Sequence, residues 1–307
     1  MKALILGARG AVGAAAAASL RARGHQVTAA SRHPGPDGFA VDLGEPDGLA
    51  RLAAEATGYD AVVNASGIED PGLGGLPVRA VVDVSATGSY LAELRERSWR
   101  NETATTVLGA GLAPGLSTLL LAALAAEDGD DLDLGVCLGT GDAHGAAAVE
   151  WTAGLIGTPV HEPPEGHPVR NLQERRRLVD ARGDRRTFLR ADFPDHVLIG
   201  DPDGVRIRSY LALTSRLATT GLALAGRVGL SSLVKASPKL GSDAWHLVAE
   251  NRRTGERRGT EGRDQSRATG VLTALAAEQA LTARRGPVTM ADLTTVDAAL
   301  ARLRDEA

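Results

Sequence analysis

The chain has 307 residues, 43% of them apolar, with a formal charge of −4 and one cysteine, Cys137. That length supports about two domains with a sizeable core, and the mild acidity excludes a chain built for nucleic acid or an anionic membrane surface. A single cysteine excludes an internal disulfide and a cysteine-rich metal site, and no apolar run approaches the ~20 residues of a membrane span. The run after Lys2 is too short for a signal-peptide core because Arg9 interrupts it, so a cytoplasmic protein is expected.

In chain order, Lys2 to Leu6 is an apolar run that breaks into Gly7-Ala8-Arg9-Gly10-Ala11-Val12-Gly13 and continues as an alanine-rich segment up to Gly24. A second apolar run, Gln26 to Ala30, follows. Strand, glycine turn, helix and strand in that order open a dinucleotide-binding unit. Gly7 allows a sharp turn, Gly10 lets the backbone approach a pyrophosphate, and Gly13 lets the helix pack on the strand. The N–H groups at the helix start, with Arg9, Ala11 and Val12 in the turn, favour an anion. The spacing is Gly-x-x-Gly-x-x-Gly rather than the commoner Gly-x-Gly-x-x-Gly, so the context carries the assignment.

Where NAD-selective folds place an acid, this chain has Ser31 and Arg32. A guanidinium suits a 2′-phosphate, so NADP(H) is expected over NAD(H). Phe39 to Leu43 reads as a short strand that brings Asp42 and Leu43 to the adenine, and Glu45 to Thr57 as a helix. Tyr59 to Gly67 is a strand ending in Asn64, Ala65, Ser66 and Gly67, small residues at the strand end where open α/β sheets bind ligands. Ile68 to Pro77 is an irregular crossover. Arg79 to Ser85 and Thr105 to Gly109 are strands; Tyr90 to Arg100 and Leu116 to Ala126 are helices.

After residue 127 the pattern changes. Leu132 to Leu138 reads as a strand, Gly139 to Gly145 as a loop, Ala146 to Ile156 as a helix and Pro159 to Pro168 as a proline-rich connection. Thr187 to Ile199 and Val205 to Leu213 read as strands and Arg216 to Val228 as a helix. Ala244 to Arg252 and Glu256 to Glu261 form a hairpin around Thr254-Gly255. The helices Ser266 to Thr282 and Thr294 to Arg304 return to the first domain. The fold expected is α/β: a Rossmann-type doubly wound parallel sheet over 1–127 plus 265–307, and a second α+β domain with a mixed or mainly antiparallel sheet over 128–264.

Familiar chemistries are excluded in turn. No tyrosine has a lysine four residues on, because Tyr59, Tyr90 and Tyr210 are followed there by Val63, Leu94 and Thr214. No serine sits in a Gly-x-Ser-x-Gly elbow, and no histidine pair has helical metal-ligand spacing, so no metal is expected.

Val81-Val82-Asp83-Val84-Ser85-Ala86-Thr87-Gly88-Ser89-Tyr90 and Gly109-Ala110-Gly111-Leu112-Ala113-Pro114-Gly115-Leu116-Ser117 resemble the two signatures of the saccharopine dehydrogenase/reductase family, and Gly262 to Gly270 resembles that family's return to its first domain. The resemblance implies an NAD(P)-dependent oxidoreductase that transfers a hydride at a C–N bond of a small amino-acid-like metabolite, with a dimerisation domain and hence a homodimer. It also implies that Asp83, Val84, Ser85, Ala113 and Pro114 flank the nicotinamide. The shorter chain and the Ile68 to Pro77 crossover depart from the family pattern.

An imine substrate needs a proton source. Asp142 and His144 on one loop are the first candidates and Tyr90 the third, while Arg206 and Arg208 could clamp a substrate carboxylate. Reduction of a C=C or C=O bond on the same scaffold, and NADPH sensing without turnover, remain open alternatives.

Overall fold

The apolar runs of the first third of the chain build a sheet whose central strands are buried along nearly their whole length, which is why they read as continuous rather than alternating. In a computed structural model, which describes residues 1–139, 141, 151–201, 204–228 and 242–306, these runs are β1 (Lys2–Leu6), β2 (Gln26–Ser31), β3 (Phe39–Ala40), β4 (Ala61–Asn64), β5 (Ala80–Asp83) and β6 (Thr105–Val107). The last strand of the chain, β13 (Gly286–Val288), completes a seven-stranded sheet of order β13-β6-β5-β4-β1-β2-β3. Every neighbouring pair is parallel. The order reverses between β1 and β4, which opens a crevice at their carboxyl ends.

The helices α1 (Ala11–Ala22), α2 (Gly48–Ala56), α3 (Gly88–Trp99) and α4 (Leu116–Ala122) belong to this part of the chain. The alanines of α1 permit close approach by the helix Gln265–Ala280. A Cβ on Gly270 would come within 2.5 Å of the Ala15 Cβ and 2.7 Å of the Val12 carbonyl oxygen. Arg302 adds a buried clasp, donating to Glu278 at 3.2 Å and to the Ser19 hydroxyl at 3.2 Å.

The second sheet contains β7 (Asp131–Leu138), β8 (Arg175–Val179), β9 (Arg185–Arg190), β10 (Arg206–Leu213), β11 (Ala244–Asn251) and β12 (Arg257–Arg263), in the order β12-β11-β7-β10-β9-β8. Its central pair, β7 with β10, is parallel and the rest are antiparallel, so the sheet is mixed. Cys137, Leu178, Phe188, Tyr210, Ala212 and Val248 form a buried cluster on it. The chain divides into two units, Met1–Leu119 with Ser266–Ala307, and Leu120–Gln265.

Several elements differ from the sequence reading, among them β3, which stops at Ala40 rather than Leu43, and an unexpected short helix Met290–Leu293. The strand expected over 187–199 stops at Arg190, and after Pro194 the chain turns into the short helix Asp195–Ile199, since proline lacks a strand donor but suits a helix start. β8 hides in the charge run Arg175-Arg176-Arg177, an edge strand whose exposed face is naturally polar. β13 contains Pro287, tolerated because this strand lies at a sheet edge. α4 ends at Ala122, short of Ala126. Of the helix expected over 146–156, residues 151–154 are helical and 146–150 lie outside the described residues. Among the described residues no helix is long and apolar enough to cross a membrane.

Candidate functional site

The crevice at the carboxyl ends of β1, β4 and β5 gathers most of the residues singled out from the sequence. Gly7 leaves β1 with φ +75°, in the region that glycine enters freely. A Cβ at Gly7 would strike the carbonyl of Ala65, and one at Gly13 would strike the carbonyl of Gly7. Gly10 behaves differently: it is the N-cap of α1 in extended conformation, and a Cβ there meets only the Gly7 oxygen at 3.3 Å. Gly7 and Gly13 therefore hold the strand, the turn and the β4 loop together, while Gly10 keeps the turn's outer side bare.

Because α1 begins at Ala11, the N–H groups of Ala11, Val12 and Gly13 have no acceptor within the helix. No acid lies in its first turn. Arg9 donates to the His33 carbonyl at 3.1 Å, tying the turn to the loop that carries the exposed Arg32. Ser31, ending β2, holds a buried hydroxyl with no protein partner. A glycine cradle that side chains would fill, three free helix-start donors and an unpaired hydroxyl fit a dinucleotide.

Beneath the crevice lies a polar network. Asn64 donates through Nδ2 to Asp83 at 2.7 Å and to the Ile68 carbonyl at 2.9 Å, and its Oδ1 accepts from the Ser66 hydroxyl at 2.6 Å. Asp83 also accepts from the Tyr90 hydroxyl at 2.8 Å and from the Ser85 N–H at 2.7 Å. The Asp83 carbonyl accepts from Ala110, bringing up the turn in which the Gly111 N–H donates to the Pro114 carbonyl at 2.8 Å. The side chains of Asn64 and Asp83 thus face inward. What they present to the crevice is backbone: Ala65, Ser66 and Gly67 on one strand end, Val84 and Ser85 on the next, with the turn carrying Ala113 and Pro114 beside them.

Burial raises the Asp83 carboxyl above its usual range, against the hydrogen bonds from Asn64, Ser85 and Tyr90. Burial and the Asp83 charge push the Tyr90 phenol far above its ordinary value. A phenol so shifted and already donating is a poor acid. Tyr90, expected as a proton donor, is instead a positioning residue for Asp83.

The sequence reading missed Glu69. It sits on the crossover read as irregular, which contains the 3-10 turn Pro71–Gly75. Partial desolvation and the Asp83 charge raise the Glu69 carboxyl, against the hydrogen bond from Thr87. An acid two residues beyond Gly67, just past a small-residue strand end, was the available signal.

Other candidates are placed differently. Asp42 accepts the Gly44 N–H at 2.9 Å and serves a turn before α2, with Leu43 half-buried beside it. Arg206 pairs with Asp131 at 2.8 Å; Arg208 pairs with Asp131 at 2.6 Å and Glu165 at 3.2 Å. Both guanidiniums are therefore committed to internal carboxylates, which corrects the expectation of a substrate clamp. Asp142 and His144 lie outside the described residues. Among the described residues no group of three His, Cys, Asp or Glu could hold a metal ion.

Residues 3–85 match the model of the NAD dependent epimerase/dehydratase family. No curated protein matches the chain in sequence. Among solved structures, an amine dehydrogenase from Mycobacterium smegmatis is similar at TM-score 0.50 and 14% identity, covering 96% of each chain. A meso-dapdh mutant with DAP from Clostridium tetani E88 is similar at TM-score 0.48 and 13% identity, covering 99% of each. An engineered D-amino acid dehydrogenase bound to NADP+ is similar at TM-score 0.45 and 13% identity, covering 98% of this chain and 99% of that one. The fold is that of a Rossmann-type parallel sheet followed by a mixed-sheet domain, the architecture seen in the amine dehydrogenase.

Proposed function

We propose that the chain is an NADP(H)-linked oxidoreductase that transfers a hydride at the C–N bond of a small amino-acid-like metabolite. One observation carries the reading: the backbone cradle after β1, where Gly7 and Gly13 exclude side chains and the N–H groups of Ala11 to Gly13 have no helical acceptor. Arg9 and the exposed Arg32 beside it favour the phosphate-bearing cofactor. The C–N reaction class is supported by the resemblance of the Val81 to Tyr90 and Gly109 to Ser117 segments to the saccharopine dehydrogenase/reductase family, and by the fold shared with an amine dehydrogenase.

A bound nicotinamide supplies or accepts the hydride. The chain's own residues bind and orient it. Ser66, Gly67, Val84 and Ser85 offer short side chains and backbone to the ring end, and the Asn64, Asp83 and Tyr90 network fixes those strand ends. Glu69, its carboxyl raised by partial desolvation, adds an acid just beyond the β4 strand end. Asp142 and His144 are the proposed carriers of the proton to or from the substrate nitrogen. A cytoplasmic homodimer completes the proposal.

Titration with NADPH and NADH by nicotinamide fluorescence tests the cofactor assignment. Arg32→Asp weakens NADPH about tenfold or more and leaves NADH within about twofold; equal weakening of both sinks the preference. Oxidation of the bound cofactor by amine and keto-acid pairs then tests the reaction, and Glu69→Gln slows that turnover about tenfold with cofactor affinity unchanged. Turnover confined to C=C or C=O substrates would replace the C–N reading. Binding without oxidation across all three classes would replace it with a redox sensor.

A further inference from the structure

The second unit contains a cavity of about 260 Å³ between the β8–β9 edge of its sheet and the first turns of the helix Arg216–Val228. Arg175, Arg185, Arg186 and Arg216 are among its lining residues, and none of the described lining residues is acidic. Arg186 is committed, donating to Asp180 at 2.7 Å and to the Thr214 carbonyl at 2.9 Å. Arg175, Arg185 and Arg216 make no ion pair with any carboxylate among the described residues, in a chain whose net charge is −4; of the arginines nearby, Arg176, Arg182 and Arg190 are paired and Arg177 on β8 is not. Three unneutralised like charges around one concavity repel one another, so the arrangement is stabilised by whatever anion enters it.

The geometry supplies further anion donors. On β9, Arg185, Thr187 and Leu189 alternate onto one face, and the β8 register sets Arg175 opposite Leu189 on that same face. The helix begins at Arg216, with Ser215 accepting the Ala218 N–H at 3.2 Å, so its positive end borders the cavity, while Thr220 of its second turn donates its hydroxyl to the Arg216 carbonyl at 3.0 Å. The floor is apolar, from Leu189, Ala212 and Ala223. Apolar residues beside three arginines without ion pairs suit an organic anion with more than one charged group better than a single hydrated ion.

We propose that this cavity binds a small polyanion through its phosphate or carboxylate groups, at a site separate from the glycine turn. It does not depend on the oxidoreductase reading, since every residue involved lies within the second unit.

The test is calorimetric titration of the whole protein with two probes, pyrophosphate and citrate, which separate phosphate from carboxylate recognition. The expected result is binding of at least one probe, weakened by added salt. Affinity then falls about threefold to tenfold in each of Arg175→Gln, Arg185→Gln and Arg216→Gln, and further in the triple variant. Arg257→Gln, on the exposed strand β12, leaves it unchanged, and NADPH titration is unaltered in every variant. Absence of heat with both probes overturns the proposal. So does undiminished affinity in the three single variants, which places the anion elsewhere, the glycine turn included. Should the triple variant fail to fold, Arg216→Gln on the solvent-exposed helix start decides the matter alone.

Discussion

Asp83 in the first unit and Asp131 in the second are both strand-end acids, yet their surroundings act on them in opposite directions. Asp83 is fully buried among neutral donors, Asn64, Tyr90 and the Ser85 N–H, so burial prevails and its carboxyl is raised. Burial also works against Asp131, but Arg206 and Arg208 overcome it and bring its carboxyl down to about 2. Asp180 and Glu165 of the second unit are likewise lowered against burial, Asp180 through the N–H groups of Asp184 and Arg182 and then Arg186, Glu165 through Arg190. Asp192 is the exception there, half-buried and raised by desolvation. The first sheet keeps cations out of its network and leaves backbone donors free at its crevice, which suits a ligand that brings its own negative charge. The second spends most of its charge on itself, and three of the arginines it leaves without an ion pair among the described residues line one cavity.

The largest effect expected from breaking this contrast lies in the glycine cradle. Gly7→Ala must enter the left-handed region and drive a Cβ into the Ala65 carbonyl, at a combined cost of about 3 kcal/mol. The midpoint of urea unfolding would fall accordingly and nucleotide binding would be lost. The same exchange at Gly10, where only the Gly7 oxygen stands nearby, should cost about 1 kcal/mol or less. Equal costs at the two positions would show that the cradle is not built as described.

Next comes the second sheet's self-neutralisation. Asp133 is wholly buried and accepts from Arg176 at 2.7 Å and from Arg252 at 2.6 and 2.9 Å. Asp133→Asn strands two guanidiniums that are themselves only partly covered, so a loss of about 2 kcal/mol is expected in the same unfolding assay. A loss near zero would mean that the pairs merely decorate the sheet.

The smallest effect, and the one that sharpens the comparison most, is in the pH profile. Asp83 has a higher value folded than unfolded, so its contribution is present in acid and declines as pH rises from the usual carboxylate range through its folded value. Asp131 has a lower folded value, so its contribution is present above the usual range and is lost as pH falls through about 2. Melting temperature measured across pH should therefore lose part of its downward slope above the usual carboxylate range in Asp83→Asn. In Asp131→Asn it should lose part of its acid-side rise, worth about 1 kcal/mol after solvent screening. Changes of the same sign in the two variants would contradict the contrast.

Local pattern carried the first unit well. Apolar runs punctuated by glycine announce parallel strands because both faces are covered, and the Gly7 to Gly13 turn is legible because only glycine tolerates those backbone approaches. The edges were hidden for equally physical reasons. β8 reads as a charge run and β13 carries a proline, since an edge strand need not be apolar or donate on both sides.

By itself, the sequence determined the alternation of strands and helices, the glycine cradle and the segments that meet at its crevice, because each depends on residues within one or two turns of chain. The tertiary structure alone decided which polar side chains remain free. Asn64 and Asp83, 19 residues apart, are consumed by each other; Arg206 and Arg208 by Asp131, 75 and 77 residues away; and Tyr90 is turned from acid to prop by Asp83. Partnership of that kind is set by strand register and burial, and no local pattern records it.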